Sequence, residues 1–151
     1  SCASYPHYHS AFARPIEVIA WVNLELDAPI AFNLDGVILE ESRFCVWVDL
    51  TNRELAPVEY AGYACMTDAE LMEIINILRT YPETRALLDN GAVFVDVASL
   101  NERAVVNANT STTATQEKTA SVILRLNDKY YQADVDIVAR QVTWFGEVAR
   151  P

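Results

Sequence analysis

The chain has 151 residues, 52% of them hydrophobic, and only four glycines. That suits one domain, 1–151, with a sizeable core, and it excludes a disordered or low-complexity chain. The formal net charge is −10 and the pI about 4.5, which argues against binding nucleic acid by bulk electrostatics, because phosphate contacts need clustered Lys and Arg. A few arginines on one edge stay compatible with it. No apolar run approaches the ~20 residues that span a bilayer, and no basic-then-apolar leader opens the chain. No membrane partner is therefore expected.

Residues 1–10 are polar and aromatic and read as an irregular arm. His7 and His9 form an H-x-H pair there, without a third ligand nearby. Residues 15–26, PIEVIAWVNLEL, read two ways. Pro15 suits the first turn of a helix, while VNLEL alternates apolar and polar as a strand does. A connection falls at 27–35, where Pro29, Asn33 and Asp35 cluster. GVILEESRFCVW is equally ambiguous, and TNRELAP at 51–57 reads as a loop.

The clearest element is a helix over 67–80, TDAELMEIINILRT. Thr67 and Glu70 make a capping box, and Leu71, Ile74, Ile75 and Leu78 line one face. Pro82 interrupts it, and ETRALLDNG reads as a short helical extension stopped at Gly91. AVFVDVASL has the β-branched content of a strand. Residues 107–119 are polar and threonine-rich, a loop or a weak helix. SVILRLNDKYYQADVDIVARQVTWF reads as two strands around an Asn127-Asp128 turn. Taken locally, the chain is α+β with one firm helix.

No catalytic constellation is evident. The G-x-S-x-G, P-loop and G-x-G-x-x-G patterns are all missing, so no enzyme is expected. Of the three cysteines, Cys45 and Cys65 sit in the apolar contexts FCVW and YACM and read as small buried residues. A reducing compartment is the simple expectation for an odd count without close spacing. Asn109-Thr110-Ser111 matches a glycosylation acceptor, discounted for want of a secretory signal.

The stretch SAFARPIEVI, from Ser10, resembles the start of the coat proteins of rod-shaped plant viruses of the tobacco mosaic virus type, where SAWADPIELI opens the first long helix. Further similarities follow in order. AFNLDGVILEESRFCVW resembles the second helix through Phe32, Phe44 and Trp47. The 67–80 helix stands for the third and runs into Glu83-Thr84-Arg85 where the family has D-T-R. LRLNDKYYQADVDIVARQVTW resembles the closing stretch through Tyr131 and Trp144. There are departures: the D-T-R-N-R run is ETRAL, with Leu87 for the second arginine, and a family arginine pair is Arg103 followed by Ala104.

The resemblance implies a mainly α fold, an antiparallel four-helix bundle with a small β element at its distal end. Residues 15–26 then form the first helix, and roughly 105–126 the fourth. It implies a capsid protein that polymerises with itself into a helical rod around single-stranded viral RNA, located in the virion and the host cytoplasm. Arg43, Arg85 and Arg103 match inner-radius RNA-binding arginines, apt because the guanidinium fork meets phosphate bidentately. Asp89, Asp96 and Glu102, and less directly Glu73, become carboxylates that repel between subunits when ionised, so that protons or calcium would tune assembly. Phe12, Trp47, Tyr60, Tyr63, Tyr131 and Trp144 become lateral contacts. Two alternatives stand beside it: a soluble α+β binding or regulatory protein, and an RNA-binding subunit of a ferredoxin-like class.

Overall fold

The computed structural model describes residues 18–106 and 114–151. Its frame is a nine-stranded sheet, not a helical bundle. The strands are β1 (Ile19–Leu34), β2 (Val37–Asp49), β3 (Glu54–Leu55), β4 (Glu59–Tyr60), β5 (Met66–Thr67), β6 (Val93–Val106), β7 (Ala114–Leu126), β8 (Lys129–Asp136) and β9 (Gln141–Val148). Among the described residues two helices, α1 (Asp68–Leu78) and α2 (Pro82–Asp89), and a 3-10 turn at Ala61–Tyr63 accompany it. The sheet runs β5-β4-β2-β6-β7-β8-β9, with β1 and β3 also paired to β2.

The four-helix bundle is thereby overturned, and the segments that fail are specific. The expected first and second helices are β1 and β2, joined as a hairpin from Ile19↔Asp49 to Leu34↔Val37. Asp35 and Gly36 turn it with φ of 51° and 85°, the left-handed pair that a two-residue hairpin needs. The Asn33 side chain accepts the Gly36 N–H at 2.9 Å. The expected fourth helix is largely β7, paired along its length with β6 and from Thr119 to Leu126 with β8. Period-two alternation and β-branched residues win here because paired neighbours complete each strand's hydrogen bonds.

The local readings fare better. Helix α1 carries the capping box: Thr67 accepts the Glu70 N–H, and Glu70 accepts the Thr67 N–H at 3.2 Å. Leu71, Ile74, Ile75 and Leu78 are buried, joined by Ile77. Each such side chain contributes roughly 1.5–3 kcal/mol of burial. They pack on Val37 and Leu39 of β2, Phe94 and Val97 of β6, Val122 and Leu124 of β7, and Ala133 and Val135 of β8. Helix α2 starts with Pro82 in its first turn, and Gly91 follows with φ +84°. Asn127 and Asp128, both left-handed, turn β7 into β8.

The sheet is weakest where its halves meet. Strands β2 and β6 are parallel and share only Ile38↔Val93 and Leu39↔Phe94. Tyr63, fully buried, fastens that seam. Its hydroxyl accepts the Glu40 N–H at 3.1 Å and lies 2.9 Å from the Glu40 and Phe94 carbonyls. Below it, Glu41 is buried on β2 and holds the 3-10 turn. Its Oε1 accepts the Ser42 and Arg43 N–H groups at 2.8 and 2.9 Å, and its Oε2 accepts the Gly62 N–H. Arg79, after α1, pairs with Asp35 at 2.6 Å and so pins the hairpin turn.

Candidate functional site: the exposed hairpin

Pro29 lies in a bulge that divides the β1–β2 hairpin. The register passes from Glu25↔Arg43 to Ile30↔Glu41, so four residues of β1 stand against one of β2. Such a bulge breaks the ladder and bends the strand. Beyond it, Phe32 and Leu34 pack against the core, and Phe32 stacks on Tyr60 with ring centroids 4.9 Å apart. Before it, Ile19–Glu25 form a straight segment that packs little.

Directly opposed residues share a face of a sheet. On one face of this outer segment Ala20, Val22 and Leu24 stand opposite Val48, Val46 and Phe44. Leu55 of β3 lies opposite Val48 and extends the row. Every member is apolar, yet Val22 is 46% exposed, Leu24 54% and Leu55 71%. An open recess of about 400 Å³ adjoins it, lined by Phe44, Pro57, Val58, Tyr60, Thr67, Asp68 and Ala69. Burial, then the Asp68 carboxylate, pushes the Tyr60 hydroxyl's pKa upward, so it stays protonated. The opposite face is different. It carries the Trp21–Trp47 pair at 6.4 Å, buried Cys45 and Glu59, and buried Asp49, whose carboxylate caps the Thr51 and Asn52 N–H groups.

Backbone polarity completes the picture. The Leu50 N–H donates to the Val18 carbonyl and the Ala56 N–H to the Trp47 carbonyl. Alternation then sends the N–H and C=O of Ala20, Val22 and Leu24 towards β2. Those of Ile19, Trp21, Asn23 and Glu25 point away from it, along an edge that no other described strand pairs. This edge contains no Lys, Arg or Pro between Ile19 and Glu25, the residues that commonly guard exposed strands.

The residues singled out by the resemblance are dispersed. Arg43 stands opposite Glu25 in the ladder. Arg85, on α2, lies 3.8 Å from Asp89. Arg103, in the far half of β6, is in register with Glu117. Among the four carboxylates, Glu73 pairs with Arg140 at 3.2 Å, Asp89 with Arg85, and Glu102 borders an open recess with Glu117. Asp96 is partly buried on β6. Burial raises its pKa, the Val97 N–H opposes this, and Glu41 raises it further while Arg43 lowers it. These four do not converge, and among the described residues no group of three or more metal-binding side chains does.

The lateral aromatics separate as well. Tyr63 is core, Tyr131 stacks on Phe145 of β9, and Trp144 is exposed at the opposite edge from Trp47. Phe12, the His7/His9 pair and the Asn109 acceptor lie outside the described residues. Cys45 is a buried free thiol, pushed up to about 11 by burial and then Glu59, and so poorly suited to nucleophilic work. Cys65 is disulfide-bonded, contrary to the expected buried thiol, and cysteine usage gives no ground for a reducing compartment. Among the described residues no helix is long and apolar enough to cross a membrane. No family model, curated protein or solved structure matches the chain.

Proposed function

We propose that this is a non-enzymatic α+β protein that works by association, with the outer half of the β1–β2 hairpin as its contact surface. The observation that carries this reading is the apolar row Ala20, Val22, Leu24, Phe44, Val46, Val48 and Leu55, of which Val22, Leu24 and Leu55 are open to solvent and the rest half-buried. A contiguous exposed apolar face marks a site of protein contact more often than a defect. The reading keeps the self-association expected of a structural subunit. The RNA-coating rod was inferred through a helical bundle, and no arrangement of the described arginines now favours it.

The test is hydroxyl-radical footprinting of the purified protein in dilute and concentrated solution. Val22 and Leu24 are expected to lose reactivity as the protein associates, while Val138 and Trp144, exposed elsewhere, keep theirs. Protection that is absent, or confined to Val138 and Trp144, would overturn the reading.

A further inference from the structure

Resting on that reading, we propose that the partner is a second copy of this chain, joined edge to edge by antiparallel pairing of the two β1 segments about a two-fold axis at Val22. Among the described residues β1, β3, β5 and β9 each pair along one side only; β3 and β5 are two residues long, which leaves β1 and β9 as the long edge strands. Strand β9 is interrupted by a register shift between Asp134 and Val135 of its neighbour β8. Ile19–Glu25 has no such break, and Val22 is its midpoint, so centring there overlaps the whole segment.

That register is self-complementary. Trp21 lies opposite Asn23 of the second copy, Ala20 opposite Leu24, and Ile19 opposite Glu25. The outward N–H and C=O groups of Ile19, Trp21, Asn23 and Glu25 then pair only with one another, which completes the edge's hydrogen bonds. The two apolar rows merge into one face, because Ala20, Val22 and Leu24 meet residues of the same set. No like charges are opposed: the two Glu25 carboxylates lie six residues apart along the strands, roughly 20 Å. An interface in which one patch meets itself is isologous and closes as a dimer.

The geometry names its own test. In this register the Val22 pair is of the non-hydrogen-bonded type, with Cα atoms about 4.5 Å apart, within the range a disulfide spans. V22C is expected to convert mostly to a disulfide-linked dimer under a mild oxidant. L24C is expected to stay monomeric on a non-reducing gel, since the two Leu24 positions are about 14 Å apart along the strands. Native Cys45 cannot substitute, because its ladder partner Asn23 points to the opposite face from Val22. Val22 is half exposed, so the substitution leaves the core intact. As a second readout, wild-type amides of Ile19, Trp21, Asn23 and Glu25 should gain hydrogen-exchange protection with concentration. Face protection in footprinting without V22C cross-linking or amide protection would overturn the edge pairing and leave the contact surface standing. Cross-linking of L24C in place of V22C would overturn the register. Neither footprinting protection nor cross-linking would overturn both proposals.

Discussion

Replacing Gly62 by alanine places a methyl group against the buried Glu41 carboxylate. The added Cβ meets Glu41 Oε2 in hard overlap, with Cδ at 3.1 Å and Oε1 at 3.3 Å. A glutamate end is ordinarily free to swing aside, but this one is held. Oε1 takes the Ser42 and Arg43 N–H groups, and Oε2 takes the Gly62 N–H beside the new methyl. The least disruptive response rotates Oε2 away and abandons the Gly62 N–H, a loss of roughly 1.5–3 kcal/mol for a hydrogen bond to a charged group. Expulsion of the whole carboxylate approaches the ~3–5 kcal/mol of an uncompensated buried charge. The expected cost is therefore about 2–4 kcal/mol, or a fall in Tm of roughly 4–16 °C for a chain of this size. Urea unfolding measures it, and a double-mutant cycle with E41A assigns it: G62A should cost little once the carboxylate is gone. A G62A stability within about 0.5 kcal/mol of wild type, or an undiminished cost in the E41A background, would refute the reasoning.

Three further outcomes are expected. Y63F removes the buried hydroxyl at the β2–β6 seam and should cost roughly 1–3 kcal/mol in urea unfolding, since it leaves the part-buried Glu40 N–H without its acceptor; an unchanged midpoint would show that the seam holds without it. The Asp96 carboxyl titrates above its unfolded value, so the folded chain holds that proton more tightly, and stability is lost as pH rises through the folded pKa. D96N should therefore be more stable than wild type near neutral pH, with the gain fading as acid protonates wild-type Asp96; a gain that grows with acid would reverse the assignment. Each copy carries a net charge of −10, so raising the salt from low to about 0.15 M, where the Debye length is about 8 Å, should strengthen self-association. Weakening by salt would point to a contact driven by ion pairs.

How far the fold could be read from the chain varied with how much each segment depends on distant partners. Helix α1 was legible because the Thr67–Glu70 box and the Leu71, Ile74, Ile75, Leu78 face lie within one segment. The Asn127-Asp128 turn and the stop at Gly91 were legible for the same reason. Residues 19–25 were not. A strand with one face on a core shows alternation, but here both faces are open and apolar residues fall on each: Ala20, Val22 and Leu24 on one, Ile19 and Trp21 on the other. Such a run satisfies a helical and an extended pattern alike. The resemblance at SAFARPIEVI then tipped it to helix, and the β1–β2 pairing tips it back. The threonine-rich stretch 107–119 was misleading too, reading as a loop or weak helix: Thr115 and Thr119 lie in β7, the conformation β-branched residues favour once a partner strand completes it. Of the site, the apolar residues could be named from the sequence. Their gathering on one open face needs the register with β2, and the free edge needs the knowledge that no other described strand pairs beyond β1.

Sedimentation velocity of the wild type and of L24K, each over a concentration series, tests the central claim most directly. Leu24 is exposed, so the lysine should leave the circular dichroism and the unfolding midpoint unchanged. The account predicts that the wild-type sedimentation coefficient rises with concentration towards that of a dimer, and that L24K stays monomeric throughout. A wild type that remains monomeric, or an L24K that associates as strongly as the wild type, would contradict it.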